Sequence, residues 1–248
     1  MKNGIRKKFN QTSDILDKFD WSEEGLDPEV KDIQRYFFYT MLYREFEYLK
    51  EFDKLDNGEF GSKYEDIKYF GIDSETEDEV GNQIDVLYYN SEDDFAIIIN
   101  TKNDDEVIFC KNSEGETFNE IYENMNKKSG EYKGSKIFLK RDLFKAPYLN
   151  FNVIREYDEL AEKLFYTKEG DEAMIQKAMQ SIQFEIDEKG GRVKSEAAID
   201  MNVMTTSIEM PSEPRYFYID DTFTIFLREK GKELPYFAAN VDDITKFQ

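Results

Sequence analysis

The part of the chain that most restricts its fold is the stretch 183–239, which alternates apolar and polar residues through several short segments. In the first segment Phe184 and Ile186 face one side of a predicted strand, while the carboxylates between and after them face the other. Gly190 and Gly191 then break the pattern, as a glycine pair does at a turn. Segments with a period of two bury one face only when they pair, so this stretch predicts a sheet-rich fold.

A second alternating segment, 195–203, lies where a connecting loop is expected. One face carries Ser195, Ala197, Ile199, Met201 and Val203, and the other carries Glu196, Ala198, Asp200 and Asn202. Pro211 and Pro214 follow, and the region around them has no strong pairing signal. Beyond them the pattern predicts an antiparallel pair, 215–228 and 234–239, joined by a turn at 229–232.

The same patterns predict the elements upstream. Strands are predicted at 35–43, 84–89, 95–100 and 107–110, and helices at 5–19 and 117–125. The run 35–43 is too continuously apolar for a surface element, which is typical of a central strand covered on both faces. Segments 84–89 and 95–100 form the clearest hairpin. Thr117 followed by Glu120 predicts a capping box at the start of a helix.

The composition indicates a folded acidic protein with no nucleic-acid or membrane partner. The 248 residues include 21 Phe and 16 Tyr, which supply aromatic side chains for a substantial core. The formal net charge of −21, with no basic run, makes binding to a phosphate backbone or an anionic membrane surface unfavourable. Cys110 is the single cysteine, and its place at the end of an apolar run predicts that it is buried.

The sequence excludes most catalytic chemistries. Because histidine is absent, Ser-His-Asp and Cys-His arrangements and His-ligated metal sites are excluded, and one cysteine cannot hold zinc alone. Gly190 and Gly191 lack the residues of a phosphate-binding loop, and the acidic stretch 73–80 lacks the spacing of a calcium loop. Carboxylate pairs such as Asp104 and Asp105 are too numerous to indicate a site. We therefore predict no catalytic residue, no cofactor and no metal.

The order of segments near the C-terminus resembles the C-terminal part of the serpins, the serine protease inhibitor family. A predicted strand ends in Glu188-Lys189-Gly190, a small-residue hinge reads Ser195-Glu196-Ala197-Ala198, an irregular loop follows, and Pro214-Arg215 leads to Asp221-Thr222-Phe223 and a closing hairpin. The resemblance extends over almost the entire chain and implies a strand within 143–153 followed by a short helix at 157–165, but the chain lacks the family's first helices and first sheet strands. It implies one domain, 1–248, with an α+β fold of mixed and antiparallel sheets and few helices, either a reduced serpin or a fragment of a longer one.

The resemblance implies a protease inhibitor and not an enzyme. A serpin presents its reactive-centre loop to a protease as bait, and after cleavage the loop inserts as an extra strand into the main sheet. The resemblance places the hinge of that loop at Ser195, Glu196, Ala197 and Ala198, and the scissile region at Ser207, Ile208, Glu209 and Met210. Counting from the hinge gives the bond between Ile208 and Glu209. Counting back from Phe223 gives the bond between Met210 and Pro211, which proline makes a poor substrate.

An apolar residue at the scissile bond implies a serine or cysteine protease of the elastase, chymotrypsin or subtilisin type, and not a trypsin-like one. Two other interpretations stay open: a non-inhibitory interaction module or remnant on the serpin scaffold, and an unrelated α+β protein. Residues 191–194 separate Gly190 from the hinge where the family has none, and Arg192 and Lys194 would be costly to bury. No apolar stretch follows Met1, so we expect a cytoplasmic protein, or an extracellular one if an upstream segment is missing.

Overall fold

The computed structural model of the protein describes residues 34–43, 45–191 and 213–248. The chain divides into two compact units, one comprising Met1–Tyr43 and Asn152–Gln183 and the other Arg44–Phe151 and Phe184–Gln248. The predicted helix at 5–19 and the alternating segment 195–203 lie outside the described residues. That 1–248 form a single domain stays a prediction.

The described residues are mostly strands, as the alternating patterns predict. The strands are β1 (Gln34–Tyr43), β2 (Phe46–Glu47), β3 (Asp53–Phe60), β4 (Tyr64–Ile72), β5 (Ile84–Ser91), β6 (Asp94–Asn100), β7 (Asp105–Lys111), β8 (Leu143–Pro147), β9 (Leu149–Glu156), β10 (Leu164–Tyr166), β11 (Glu172–Ile186), β12 (Gly190–Gly191), β13 (Tyr216–Tyr218), β14 (Phe223–Glu229) and β15 (Phe237–Val241). Helix α1 is Phe118–Glu131, and short 3-10 helices occur at Asp78–Gln83, Asp158–Leu160 and Ile244–Phe247. The protein thus has the predicted α+β fold of mixed and antiparallel sheets.

In the first unit the long strand β11 is the centre of the sheet. It pairs with β1 in parallel and with β10 in antiparallel orientation, and β9 pairs with it as well. The predicted helix at 157–165 is wrong, because the chain makes only one 3-10 turn and then forms β10. The amide of Glu162 donates to the carbonyl of Ile175 (2.8 Å), so the backbone bonds here go to β11. A helix of that length is marginal alone, and pairing with a long strand satisfies the same backbone groups.

In the second unit a five-stranded antiparallel sheet runs in the order β15-β14-β7-β6-β5. It contains the predicted hairpin, in which β5 and β6 pair from Ile84 with Ile99 to Ser91 with Asp94. Helix α1 lies against this sheet and buries Ile121, Tyr122 and Met125 with residues of the strands. Cys110 is fully buried in that core, as predicted.

Helix α1 begins with the predicted capping box. The amide of Glu120 donates to Oγ1 of Thr117 (3.2 Å), and the amide of Thr117 donates to Oε2 of Glu120 (3.2 Å). Both of these otherwise unpaired donors at the helix start are therefore satisfied. In the described part of the chain no helix has the length and apolar character needed to cross a membrane.

A four-stranded sheet of the same unit has the order β13-β8-β4-β3, and it corrects one prediction. Residues 215–228 do not form one strand, because β13 pairs with β8 whereas β14 belongs to the five-stranded sheet. The chain changes sheets at Asp220, whose carboxylate contacts the ammonium groups of Lys111 (2.9 Å) and Lys145 (3.0 Å). Burial raises the pKa of Asp220, but the bonds from the two lysines outweigh it, so the pKa lies below its usual value.

Candidate functional site

The residues predicted to form the site all fall within 192–212, outside the residues that the structure describes. They are the hinge residues Ser195, Glu196, Ala197 and Ala198 and the scissile residues Ser207, Ile208, Glu209 and Met210. Their roles stay predictions. The structure does describe both flanks of the segment and the strands that lead to it.

The N-terminal flank is a tight reversal directly after β11. The amide of Asp187 donates to the carbonyl of Gly190 (3.0 Å), and the amide of Lys189 donates to Oδ1 of Asp187 (2.8 Å). Gly190 and Gly191 then pair in antiparallel orientation with Glu47 and Phe46 of β2. The chain that enters the segment has therefore already turned back on β11.

Gly190 is required at this reversal. Its φ is +130°, in the region that favours glycine, and an added Cβ would lie 2.3 Å from the carbonyl oxygen of Phe46. The positive φ and the lack of space for a Cβ both exclude any other residue at position 190. The glycine pair that marked a break in the sequence is thus a fixed anchor between β11 and β2.

Glu188, within the reversal, is a buried carboxylate with several partners. Its side chain accepts a hydrogen bond from the hydroxyl of Tyr148 (2.6 Å) and faces the ammonium of Lys54 (3.4 Å). Burial raises the pKa of Glu188, but the bond from Tyr148 and the charge of Lys54 bring it below its usual value. The carbonyl of Glu188 also accepts from the amide of Phe52 (2.8 Å), so the reversal is held through both side chain and backbone.

Tyr48 lies beside the same reversal, since its amide donates to the carbonyl of Lys189 (3.0 Å). Its ring packs against Phe52 at a centroid distance of 4.9 Å and against Phe70 at 6.1 Å. The side chain is 1% exposed, and its hydroxyl has no hydrogen-bond partner among the described residues. Burial, and secondly the charge of Asp187, raise the pKa of Tyr48 well above its usual value.

The strand before the reversal lies in a parallel pair. Strands β1 and β11 pair from Gln34 with Ala173 to Tyr43 with Gln183, with one irregularity between Tyr36 and Phe37. A parallel pair leaves both strands running in the same direction, so a third strand that runs antiparallel to one is antiparallel to both.

The C-terminal flank is an ion pair between Arg215 and Asp142. The guanidinium of Arg215 donates from Nε to Oδ2 of Asp142 (3.1 Å), and the backbone amide of Arg215 donates to Oδ1 (3.1 Å). Nη1 and Nη2 donate to the carbonyls of Ser135 and Ile137, each at 2.7 Å. The two side chains are 9% and 1% exposed, so this pair is buried where the chain returns to β13.

Sequence reasoning identified Arg215 only as part of a Pro-Arg dipeptide and missed its partner. An arginine beside the apolar run of β13 signals a buried cation, which needs a carboxylate. Asp142 is 73 residues away, in an acidic chain with many equivalent candidates. Only the folded arrangement selects it.

No family model and no curated protein matches this chain. Solved structures do match. Serpin48 of the insect Tenebrio molitor, a highly specific serpin, is 15% identical with a TM-score of 0.52, covering 97% of this chain and 65% of that one. The thermophilic serpin tengpin in its native state is 13% identical with a TM-score of 0.54, covering 98% of this chain and 62% of that one.

This chain has a serpin-like fold. It spans between about half and two thirds of the length of the serpins it matches. Human thyroxine-binding globulin, solved with thyroxine, also shares the fold, at 10% identity and a TM-score of 0.50, covering 81% of this chain and 54% of that one. At these identities the likeness shows the fold and does not carry over an activity.

Proposed function

We propose that the protein is a protease inhibitor whose residues 195–210 serve as bait and whose residues 195–203 enter the sheet after cleavage. The observation that carries the proposal is the parallel pairing of β1 with β11 directly before the reversal at 187–191. A segment that has reversed after β11 runs antiparallel to β11 when it re-enters the sheet. Between β1 and β11 it would therefore be antiparallel to both strands.

Insertion there is favourable once the segment is free to move. Separating β1 from β11 breaks one ladder of backbone hydrogen bonds, and a new strand between them forms two. The gain is one ladder, at about 0.5–1.5 kcal/mol for each hydrogen bond, together with burial of one face of the new strand. In residues 195–203 the face with Ala197 and Ile199 suits burial, and the face with Glu196 and Asp200 suits solvent.

The residues at the bait position set the class of target. Ile208 or Met210 would place an apolar side chain in the recognition pocket of the protease. Such a side chain does not pair with the acidic pocket of a trypsin-like enzyme, so we propose elastase-, chymotrypsin- or subtilisin-like targets. Pro211 disfavours cleavage after Met210, which leaves the bond between Ile208 and Glu209 as the preferred site.

Incubation with elastase, chymotrypsin and subtilisin tests the proposal. Inhibition gives a covalent complex that survives boiling in detergent, and cleavage alone raises the melting temperature of the protein. A protease whose nucleophile has been removed is the control and forms no such complex. Ordinary turnover, with no complex and no thermal gain after cleavage, would contradict the proposal.

A matched pair of variants separates insertion from cleavage. Ala197→Arg places a charge on the face to be buried, whereas Glu196→Arg places the same charge on the solvent face. We expect cleavage of both variants, a thermal gain on cleavage in Glu196→Arg, and loss of that gain in Ala197→Arg. An equal change in melting temperature on cleavage of the two variants would show that residues 195–203 do not enter a sheet with the Ala197 face buried.

A non-inhibitory interaction module is the second candidate. It is favoured by Arg192 and Lys194, which lie between the Gly190 reversal and the hinge and would be costly to bury if that part entered the sheet. Ile199 and Met201 are also larger than the small residues that the resemblance implies for a hinge. Cleavage of residues 195–210 without formation of a covalent complex would favour this candidate.

A further inference from the structure

Strand β10 has one open edge in the first unit. Among the described strands it pairs with β11 alone, in antiparallel orientation. The carbonyl of Lys163 accepts from an amide of β11 (3.3 Å), and the amide of Thr167 donates to the carbonyl of Asp171 (3.0 Å). Because a strand bonds to an antiparallel neighbour at every second residue, the backbone groups of Leu164 and Tyr166 point away from β11. They form a sheet edge that no described strand covers.

The side chains at this edge are apolar and exposed. Leu164 is 63% exposed and Tyr166 is 72% exposed, and both lie on the same face because they are two residues apart. Sheet edges in soluble proteins are usually protected by charged side chains or by proline, and β10 contains neither. An apolar edge of this kind is typical of a surface to which another strand adds.

The edge is held in shape at both ends. At the start, the amide of Glu162 donates to the carbonyl of Ile175 (2.8 Å), so Glu162 and Lys163 together oppose Ile175 in a β-bulge. At the end, the amide of Gly170 donates to the carbonyl of Thr167 (3.0 Å) and closes a tight turn into β11. A partner strand would therefore bind an edge that is already formed, which lowers the entropic cost of binding.

The surroundings of β10 are strongly acidic. Residues 156–172 contain seven carboxylates and two lysines, a net charge of −5, and all seven carboxylates are exposed. Glu156 pairs with Lys177 (3.2 Å), and no ion pair joins the other six to the described part of the chain. This charge attracts a basic partner and repels a second copy of the same surface.

We propose that residues 156–172, named here the acidic edge, bind an extended segment of another protein that is rich in lysine or arginine. The segment adds to β10 as a further strand, with its apolar residues beside Leu164 and Tyr166 and its basic residues at the carboxylates. The exposed ring of Tyr166 also suits a guanidinium or ammonium group. The inference goes beyond the proposed function, because it uses neither the bait nor its cleavage.

The probe is a fluorescent peptide of about nine residues that alternates lysine and valine, the length of a typical strand. Two control peptides are matched to it. One alternates glutamate and valine, which reverses the charge, and the other is the lysine peptide with every amide N-methylated, which keeps the charge and removes the backbone donors. We expect fluorescence anisotropy to show binding of the lysine peptide at least about tenfold tighter than binding of either control.

Variants of β10 test the position of the site. Leu164→Ser removes an apolar contact, and Tyr166→Pro removes the outward amide without removing a bond to β11. We expect each to weaken binding of the lysine peptide by about tenfold. Leu234→Ser is the matched control, because Leu234 is 69% exposed in the second unit, and it should leave binding unchanged. Circular dichroism checks the folding of each variant, and Leu164→Ser decides if Tyr166→Pro does not fold.

A second pair of variants tests the charge. Glu169→Gln combined with Asp171→Asn should weaken binding and reduce its loss when the salt concentration rises from about 0.05 M to about 0.5 M. Glu75→Gln combined with Glu77→Gln removes the same charge from an exposed loop of the second unit and should change neither quantity.

Hydrogen exchange followed by NMR tests the mode of binding. We expect the lysine peptide to slow exchange of the Leu164 and Tyr166 amides by about tenfold or more. The Thr167 amide, which already bonds to Asp171, should change little.

Equal binding of the lysine peptide and its N-methylated form would show attraction by charge alone and would overturn strand addition. Equal binding to Leu164→Ser and Leu234→Ser would overturn the assignment of the site to β10. Light scattering that shows a dimer of the unaltered protein, dissociated by Leu164→Ser, would identify a second copy as the occupant and would overturn the basic partner.

Discussion

The unpartnered hydroxyl of Tyr48 leads to a prediction of opposite sign to most core substitutions: Tyr48→Phe should stabilise the protein. The hydroxyl is buried with no hydrogen-bond partner among the described residues, while the ring packs against Phe46, Phe52 and Phe70. A buried polar group without a partner costs about 1–3 kcal/mol in lost hydration. Phenylalanine removes that cost and keeps the ring contacts.

A smaller opposing effect reduces the expected gain in the free energy of unfolding. Removing one oxygen atom leaves a small gap whose lining loses a few dispersion contacts, each worth about 0.1–0.2 kcal/mol. The free energy of unfolding should therefore rise by about 1 kcal/mol. For a chain of this length that corresponds to an increase of about 2–4 °C in melting temperature.

Tyr69→Phe is the matched control, because Tyr69 is equally buried but its hydroxyl donates to the carbonyl of Glu59 (2.7 Å). That substitution removes a hydrogen bond and should lower the free energy of unfolding by about 1 kcal/mol. Urea denaturation followed by fluorescence measures both changes. If Tyr48→Phe destabilises as much as Tyr69→Phe, its hydroxyl has a partner and the reasoning is refuted.

Three further predictions concern the second unit. Gly71→Ala should prevent stable folding, because its Cβ would lie 1.9 Å from the carbonyl oxygen of Phe144. In Gly58→Ala the added Cβ meets only the ring of Tyr69, at 3.4 Å, and soluble yield and circular dichroism compare the two variants. The pKa of Asp220 is lowered in the folded protein, so its stabilisation is present above the unfolded pKa of about 3.9 and is lost as the pH falls through the folded value. Acid titration of Asp220→Asn should accordingly show a shallower loss of stability, and an unchanged profile would contradict this account. Burial raises the pKa of Cys110 to about 11, so a thiol reagent at neutral pH should modify it at the rate of unfolding and not at the rate for an exposed thiol.

Several elements could be predicted from local sequence because their determinants are local. The alternation in 84–89 and 95–100 gave the β5–β6 hairpin, since side chains in a strand face opposite sides in turn. Thr117 and Glu120 gave the start of α1, because a capping box spans only four residues. The resemblance in the order of segments gave the serpin-like fold, which the solved structures confirm.

Other elements were predicted wrongly because distant partners decide them. The resemblance implied a helix at 157–165, but β11 offers the backbone groups of this window a sheet partner. Residues 215–228 alternate as one strand would, but Lys111 and Lys145 hold Asp220 where the chain moves between sheets. Local propensity is a weak influence that tertiary context overrides in both cases.

The sequence alone determined several of the strands and where glycine breaks them, because periodicity and backbone freedom are properties of neighbouring residues, and the resemblance in the order of segments implied which segment serves as bait. Only the tertiary structure determined that β1 runs parallel to β11, that Asp142 is the partner of Arg215, and that Tyr48 is buried without a partner for its hydroxyl. These features join residues far apart in the chain. Burial and pairing at such distances depend on the whole packed arrangement, and an acidic chain with many equivalent carboxylates offers no local signal that would select one of them.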